Sequence, residues 1–187
     1  MKNISVTEWL HHFIELQVQK GDFCIDATMG NGGDTVLLSR LAGEEGKVLA
    51  FDIQEIALER TKARLVKEDC PFNYELLPVS HEKMAQFAKE GTVSCITFNL
   101  GYLPGGDHRK ATRADTSQRA ISEGLKLLKK GGLMTVCLYS GGDTGFEEKD
   151  RILEYLGQLS PDGFLVIGSE YRNRPNHPPM PVLIIKQ

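Results

Sequence analysis

A glycine-rich segment near the start of the chain constrains its fold more than any other feature. The segment follows a short apolar run at residues 23–26 that ends in a carboxylate, and it contains Gly30, Gly32 and Gly33 before apolar residues recur at helical spacing from Val36. This order predicts a strand, a tight turn and a helix, because glycine tolerates positive φ and lets a ligand approach the backbone. The N-terminus of such a helix presents unpaired N–H groups to the turn. We therefore predict a nucleotide-type cofactor site at the carboxyl end of a first parallel strand.

Strand-like and helical patterns alternate along the rest of the chain. Strands are predicted near residues 23–26, 47–52, 74–77, 93–99, 133–138, 164–169 and 182–186. Helices are predicted near residues 7–19, from the glycine turn to 41, and near 54–68, 82–89, 115–129 and 146–159. The alternation favours a doubly wound parallel sheet, whereas the last two strands, with no helix between them, should pair antiparallel at one edge.

The predicted fold is therefore α/β, a three-layer α/β/α sandwich around a seven-stranded, mostly parallel sheet whose last strand is antiparallel. The length of 187 residues fits one domain over residues 1–187. Gly131 and Gly132 are predicted to cap the helix that ends near residue 129, since glycine is the preferred residue just beyond a helix.

Composition excludes several classes of protein. The 41% hydrophobic and 25% charged residues are typical of a soluble globular domain. No apolar run approaches the roughly 20 residues that a membrane-spanning helix needs, and no signal-peptide pattern is present. Cys24, Cys70, Cys95 and Cys137 lack C-x-x-C spacing, and three of them lie in apolar runs. They predict buried thiols in the reducing cytoplasm.

Charge is distributed unevenly along the chain. The net charge of −3 argues against a protein that binds nucleic acid through its overall field. Residues 108–130, however, contain seven Lys or Arg residues and two acidic residues, a local charge of +5. One basic segment on an acidic body fits a local phosphate contact, and it fits a solvated helix face equally well.

The residues around the glycine turn discriminate between cofactors. A dinucleotide site expects G-x-G-x-x-G, but Thr35 stands where the third glycine would lie, and Gly33 adjoins Gly32. Asp26 places a carboxylate at the strand end, which would repel a pyrophosphate but attract the ammonium and sulfonium groups of S-adenosylmethionine. The pattern favours S-adenosylmethionine over a dinucleotide.

Further cofactor contacts are expected at the ends of the second and third strands. Asp52 lies twenty residues after Gly32, where an acid hydrogen-bonds ribose hydroxyls, and Gln54 could reach the same sugar. Asp52 could instead cap the following helix. Ser80 and His81 end the third strand, where the adenine is expected, although no acid stands there to accept its amino group. His81 could equally be a surface histidine.

The acceptor side of the predicted site follows the fourth strand. Asn99 can accept an N–H of an amine on its amide oxygen, and the Leu100 carbonyl can accept another, which leaves the amine lone pair for a methyl carbon. Tyr102 can stack on an unpaired base. Residues 99–102, Asn-Leu-Gly-Tyr, resemble the (Asp/Asn)-Pro-Pro-(Tyr/Phe) motif of amino-group methyltransferases, with Leu-Gly replacing Pro-Pro. The alternative is a strand-end turn with a buried tyrosine.

Three loops and the N-terminal helix near residues 7–19 are predicted to recognise the substrate, because the chain has no second domain for that task. In the first loop, Asp107 could attract a substrate ammonium, and His108 and Arg109 could contact phosphate. Tyr139, after the fifth strand, and Arg172, before a proline-rich turn, are expected in the other walls of the pocket.

Four motifs together resemble one known family. They are Asp-Ala-Thr-x-Gly-Asn-Gly-x-Asp-Thr at 26–35, Phe-Asp-Ile-Gln at 51–54, Asn-Leu-Gly-Tyr-Leu-Pro-Gly-Gly-Asp-His at 99–108, and Asn-x-x-Asn-x-Pro-Pro at 173–179. Over essentially its whole length, the chain resembles the small bacterial family long labelled rRNA methylases. Its members are understood as tRNA methyltransferases that act on 5-aminomethyl-2-thiouridine at the wobble position.

This resemblance implies a class I methyltransferase fold, S-adenosylmethionine as methyl donor and the wobble aminomethyl group as acceptor. It also implies binding to the tRNA anticodon loop and a homodimer. Asn99 and Tyr102 would face the acceptor amine and base. The cofactor contacts that it implies are Asp26, Gly30, Asn31, Gly32, Asp34, Thr35, Asp52, Gln54 and His81.

Three other functions remain open from the sequence. The first is an rRNA methyltransferase, since the glycine motif also resembles a family that methylates a ribosomal cytidine, although that family carries a large inserted domain that is absent here. The second is a dinucleotide-dependent oxidoreductase, which Asp26 and the missing glycine disfavour. The third is a non-catalytic RNA-binding module, which the intact Asp26, Asp52 and Asn99 disfavour.

Overall fold

A computed structural model describes residues 4–101, 103, 105, 112–140, 145–176 and 178–187. The strands are β1 Phe23–Asp26, β2 Lys47–Phe51, β3 Tyr74–Leu77, β4 Val93–Leu100, β5 Leu128–Leu138, β6 Phe164–Gly168 and β7 Met180–Lys186. The α-helices are α1 Val6–Gln17, α2 Gly33–Ala42, α3 Glu55–Lys67, α4 Ala114–Leu127 and α5 Gly145–Gly157. A 3₁₀ helix spans His81–Gln86.

The strands form one seven-stranded sheet in the order β3-β2-β1-β4-β5-β7-β6. Strands β1 to β5 are parallel, and β7 pairs antiparallel with both β5 and β6. The predicted sheet and its antiparallel last strand are therefore confirmed. Because the chain runs outward from β1 in one direction and from β4 in the other, a crevice opens between the carboxyl ends of these two strands.

Alternating side chains of the sheet build a core on each face. In β1, Cys24 packs towards α1 and α2, and Ile25 packs towards α4 and α5. A smaller cluster, in which Val36 packs against Leu65, joins α2 to α3. Helices α1, α2 and α3 thus cover one face, while the 3₁₀ helix, α4 and α5 cover the other, which completes the three layers.

The start of α1 is defined by a capping box. The Ser5 hydroxyl accepts the Glu8 N–H, and the Glu8 carboxylate accepts the Ser5 N–H. These two bonds satisfy donors that a helix N-terminus otherwise leaves unpaired. They define where the helix begins, and the buried Leu10 and Ile14 then anchor it on the sheet.

Two stretches of the chain differ from the predicted elements, one at residues 82–89 and one at residues 127–133, where the fifth strand begins at Leu128 and not at Leu133. The predicted helix at residues 82–89 is the six-residue 3₁₀ helix. Helix α4 ends at Leu127 because Leu128 begins β5 immediately, so Gly131 and Gly132 lie within β5 and cap no helix. Residues 129–132 form a bulge, since Val93 pairs with Leu128 while Cys95 already pairs with Leu133.

All four cysteines are free and buried, as predicted. In the parts of the chain that the structure describes, no helix has the length and apolar character needed to cross a bilayer.

Candidate active site

A cavity of about 810 Å³ opens at the carboxyl edge of the sheet, around the crevice between β1 and β4. Its walls come from the glycine turn, the end of β2, the start of the 3₁₀ helix, the end of β4 and the start of α4. Residues distant in sequence meet there because parallel strands bring their carboxyl ends to one edge.

The glycine turn contributes only part of its length to the cavity wall. Of the residues predicted to contact the cofactor from this turn, Gly30 and Asn31 line the cavity and Gly32 does not. At Gly32 the φ is +76°, and a Cβ there would lie 2.8 Å from Thr61 Oγ1 of α3. The glycine at this position therefore permits the close approach of α3, and not the approach of a ligand that the sequence predicts.

Asp52 connects the end of β2 to the glycine turn. Its Oδ2 accepts the Gly30 N–H at 3.1 Å, and its Oδ1 accepts the Gln54 N–H at 2.9 Å. The N-cap of α3 is Gln54, so Asp52 does not cap this helix. Both Asp52 and Gln54 line the cavity, and the half-buried carboxylate keeps lone pairs for further donors.

Asp26 and Thr35 lie behind the cavity wall. The Asp26 side chain is fully buried, accepts the Thr35 hydroxyl at 2.6 Å and accepts the Thr28 N–H at 3.2 Å. Neither Asp26 nor Thr35 lines the cavity, which does not match the direct cofactor contacts predicted for them. Burial, together with the nearby charge of Asp34, raises the pKa of Asp26 to about 7. Asp26 ties the end of β1 to the first turn of α2.

Asp34, in the first turn of α2, lines the cavity and lies between two partners. His11 Nε2 donates to its Oδ1 at 2.7 Å, and Asn99 Nδ2 donates to its Oδ2 at 2.8 Å. This hydrogen bond with Asp34 raises the pKa of His11 against the opposing effect of burial. Asp34 and Asn99 are among the site residues predicted from the sequence, whereas His11 is not, although the helix that carries it is predicted to help recognise the substrate. The available signal was the four-residue spacing of Thr7 and His11, which places both on one face of α1.

Asn99 and its neighbours form the floor of the cavity. The Asn99 N–H donates to Thr28 Oγ1 at 2.6 Å, which fixes the backbone between β1 and β4. Because a carboxylate only accepts hydrogen bonds, the contact with Asp34 assigns the Asn99 amide nitrogen to that side and leaves Oδ1 for another donor. The carbonyl of Leu100 already accepts the Tyr139 N–H at 3.2 Å, so the second acceptor predicted for an amine is engaged in the sheet.

His81 lies at the start of the 3₁₀ helix, and Ser80 caps that helix. Both residues line the cavity. His81 Nδ1 donates to the Ala27 carbonyl at 3.2 Å, so Nε2 carries the lone pair, and burial lowers the pKa of this imidazole. The ring packs edge-on against Phe98, which excludes the alternative of a surface histidine. Nε2 is buried and has no hydrogen-bond partner among the described residues.

The residues predicted to contact the substrate differ in their position relative to the cavity. Tyr139 lines the cavity. Arg172 lies outside it, with a side chain that is 89% exposed and 3.6 Å from the Glu170 carboxylate. The remaining ones, Tyr102, Asp107, His108 and Arg109, lie outside the described residues.

The basic residues of segment 108–130 were expected to form either a phosphate contact or a solvated helix face, and the described ones differ in this respect. Arg119 and Lys129 pair with carboxylates at 2.8 Å, and Lys126 pairs with one at 2.7 Å, as expected for a solvated surface. Arg113, just before α4, lines the cavity instead. This arginine is one of the seven basic residues of the segment, and it places a positive charge at the site.

We expect the His11–Asp34 pair to stabilise the fold in a pH-dependent way. The groups that face His11 are Asp34 on α2, Glu15 on its own helix and Asp26 on β1, and each favours the imidazolium when it is ionised. Because the folded-state pKa is raised, the charge-dependent part of this stability is fully present below about pH 6.5 and is lost as pH rises through the folded pKa. His11→Ala should therefore lower the free energy of unfolding by about 1–2 kcal/mol at pH 5.5 and by less at pH 9.

Urea denaturation of both proteins at the two pH values measures this difference. His12→Ala, on the exposed side of the same helix, is the matched control and should show no such pH dependence. An equal loss at both pH values in His11→Ala would contradict the expectation.

The strand order, the antiparallel β7 and the cavity at the switch point define a class I S-adenosylmethionine-dependent methyltransferase. The structure superimposes on a Streptococcus mutans protein described as "a putative methyltransferase" and crystallised in complex with SAH, with a TM-score of 0.88 and 36% identity over 100% of this chain and 99% of that one. S-adenosylmethionine is accordingly the cofactor of this fold.

The chain belongs to the family described as "Putative rRNA methylase", whose model matches residues 48–185. A crystal structure of a member from Clostridium thermocellum has a TM-score of 0.95 and 39% identity, with full coverage of both chains. In Arabidopsis thaliana, the chloroplastic tRNA (mnm⁵s²U34)-methyltransferase is 34% identical over 186 residues, which cover 93% of this chain and 67% of that protein.

Proposed function

We propose that this protein methylates the amino group of 5-aminomethyl-2-thiouridine at the tRNA wobble position, giving 5-methylaminomethyl-2-thiouridine. The observation that carries the proposal is the orientation of the Asn99 amide. Its nitrogen is held by the Asp34 carboxylate at 2.8 Å, so its oxygen can accept an N–H from a bound amine. The name of the Arabidopsis relative supports the choice of acceptor.

Methyl transfer to an amine needs a lone pair aimed along the line of displacement. S-adenosylmethionine supplies, when bound, a methyl group activated by its sulfonium. The amine nitrogen forms the new N–C bond while the S–C bond breaks, and the resulting ammonium loses one proton to solvent. Asn99 orients an N–H of the neutral amine so that the lone pair points away from the amide oxygen. No strong base is required, and positioning supplies most of the acceleration.

The cavity residues fit this cofactor. Half-buried Asp52 has lone pairs for ribose hydroxyls, and the exposed apolar side chain of Ile53 adjoins it on the cavity wall. His81 Nε2 is a buried acceptor without a partner among the described residues, and the adenine amino group is a donor that would satisfy it. This imidazole could take the place of the acid that the sequence lacks at the end of the third strand.

We expect Asp52→Ala to weaken binding of S-adenosylhomocysteine by about 10- to 100-fold, because hydrogen bonds to a carboxylate contribute roughly 1.5–3 kcal/mol. The variant also loses the acceptor that holds the Gly30 N–H, which adds to the effect. Isothermal titration calorimetry measures the change. The matched control is Glu75→Ala, which removes an exposed acid on β3 away from the cavity. An unchanged affinity for S-adenosylhomocysteine in Asp52→Ala would refute the assignment of Asp52 to the ribose hydroxyls.

The RNA-binding residues, the homodimer and the cytoplasmic location belong to this proposal as well. Arg113 and Tyr139 line the cavity, where a cation and an aromatic ring suit a phosphate and an unpaired base. A wobble base is already unpaired in its loop, so it can enter a cavity with little unstacking cost. Tyr102 would stack on this base, Asp107 would attract the substrate ammonium, and His108 and Arg109 would contact phosphate groups of the same anticodon loop.

An rRNA methyltransferase is the second candidate, which the family description favours. Nucleoside mass spectrometry separates the two. Purified protein and S-adenosylmethionine are incubated with rRNA and, separately, with tRNA that carries the unmethylated aminomethyl group. We expect one added methyl group on the wobble nucleoside of tRNA and none on rRNA. Methylation of rRNA alone, or of neither RNA by a protein that binds the cofactor, would overturn the proposal.

A further inference from the structure

Three side chains from separate elements form a continuous hydrogen-bonded row at the floor of the cavity. His11 on α1 donates to one oxygen of Asp34 at 2.7 Å, and the other oxygen accepts from Asn99 at the end of β4 at 2.8 Å. Asp34 is 7% exposed, so both of its oxygens are largely withdrawn from solvent. Residues 11 and 99 therefore interact through one carboxylate.

The row is held rigidly at its two ends. On one side, the buried Leu10 and Ile14 anchor α1, whose N-terminus the Ser5 cap defines. On the other side, the Asn99 N–H is bound by Thr28 Oγ1 at 2.6 Å. Asp34 lies in the first turn of α2, where the helix dipole favours its negative charge. With both ends fixed, the carboxylate has one orientation that satisfies both donors.

We propose that His11 is a positioning residue for methyl transfer, which acts through Asp34 to keep the Asn99 amide oxygen turned towards the acceptor amine. The inference rests on the proposed amine methylation and goes beyond it, because it assigns a role to a residue on a helix outside the glycine motif and the strand ends.

The physical reason is the near symmetry of an amide group. An asparagine side chain can flip and exchange its oxygen and nitrogen with little change in shape, so only its partners decide which atom faces the cavity. The Asp34 carboxylate accepts only and therefore selects the amide nitrogen as long as it stays in this orientation, in which His11 holds it at 2.7 Å. Without the His11 donor, one Asp34 oxygen loses its partner and the carboxylate is free to rotate away from Asn99. An amide with its nitrogen facing the cavity would present donors to an amine whose hydrogens need an acceptor.

Three variants test this role by steady-state kinetics on tRNA. His11→Ala should lower kcat by about 10- to 100-fold, the size expected for misplacement of a positioned group, with an unchanged KM for S-adenosylmethionine. His11→Gln, which retains an N–H donor, should recover most of the loss. Asp34→Asn offers the Asn99 amide either a donor or an acceptor, and it should lower kcat at least as much as His11→Ala.

A double-mutant cycle decides whether His11 acts through Asp34. The combined His11→Ala/Asp34→Asn variant should be no slower than Asp34→Asn alone, because residues in one network give non-additive effects. A merely structural role would give equal losses in His11→Ala and His11→Gln that follow their melting temperatures. It would also give multiplied losses in the double variant. Either result would overturn the proposal.

A spectroscopic readout keeps this test separate from that of the proposed function. In the ¹⁵N–¹H spectrum, the side-chain amide signals of Asn99, assigned by their loss in Asn99→Ala, should shift in His11→Ala and stay near their wild-type positions in His11→Gln and His12→Ala. Unshifted signals in His11→Ala would refute the positioning role even if tRNA is methylated. A wild-type protein that methylates no tRNA but shows the expected shifts would overturn only the amine acceptor.

Discussion

Replacing Asn99 with alanine should lower kcat for tRNA methylation by about 100- to 1,000-fold, the loss typical when one preorganised hydrogen-bonding group is removed from a reaction centre. The variant loses the amide oxygen that is left for the acceptor amine, and it leaves Asp34 Oδ2 without its donor. Binding of S-adenosylhomocysteine should stay within about threefold, because hydrogen bonds to the cofactor are assigned to other residues.

Single-turnover kinetics and calorimetry on the same preparations measure the two quantities separately. Gln158→Ala is the matched control, since it removes an exposed side-chain amide just beyond α5 and outside the cavity. Equal losses of turnover and of cofactor affinity in Asn99→Ala would place Asn99 on the cofactor side and remove the reason for an amine acceptor.

Gly32→Ala should destabilise the protein by about 2–4 kcal/mol, which corresponds to a fall in melting temperature of roughly 6–12 °C for a chain of this size. Two costs combine in this variant. The φ of +76° is unfavourable for alanine, and the new Cβ would meet Thr61 at 2.8 Å from Oγ1, 2.9 Å from Cγ2 and 3.0 Å from Cα. The third contact involves backbone, so α3 must move away from the turn.

A second glycine of this chain isolates the steric part of that cost. Gly91 has a φ of +70°, and a Cβ there would meet nothing within 4 Å. Gly91→Ala therefore carries only the backbone cost of about 1 kcal/mol. If thermal denaturation shows equal losses in the two variants, the contact between the turn and α3 is not what requires glycine at position 32.

Much of the sheet could be predicted because its signals are local. The predicted bounds of β1 and β3 agree with the structure, since each is a short run of strand-forming residues between turn residues. The boundary between α4 and β5 could not be predicted, because no turn residue separates them. Leu127 and Leu128 are both buried, and long-range packing against β4 decides that the helix ends between them.

The direction in which a buried side chain points is a second property that could not be predicted from the sequence. Asp26 and Asp34 are two acids of one motif, and the sequence assigned both to the cofactor. In the structure the Asp26 side chain is fully buried behind the wall, where it accepts the Thr35 hydroxyl, and Asp34 lines the cavity. The packing of β1 between its neighbours decides this difference, and no local pattern encodes it.

The sequence by itself determined the class of site. Asp52, Asn99 and the glycine turn follow strands that must be parallel, and parallel strands bring their carboxyl ends to one edge whatever the details of packing. Only the tertiary structure decided that His11 joins them. His11 and Asp34 lie 23 positions apart in the sequence, and they meet because the apolar side of α1 packs on the sheet beside α2, which places His11 Nε2 2.7 Å from Asp34 Oδ1. Contacts of this kind depend on how whole elements dock, which short-range patterns do not specify.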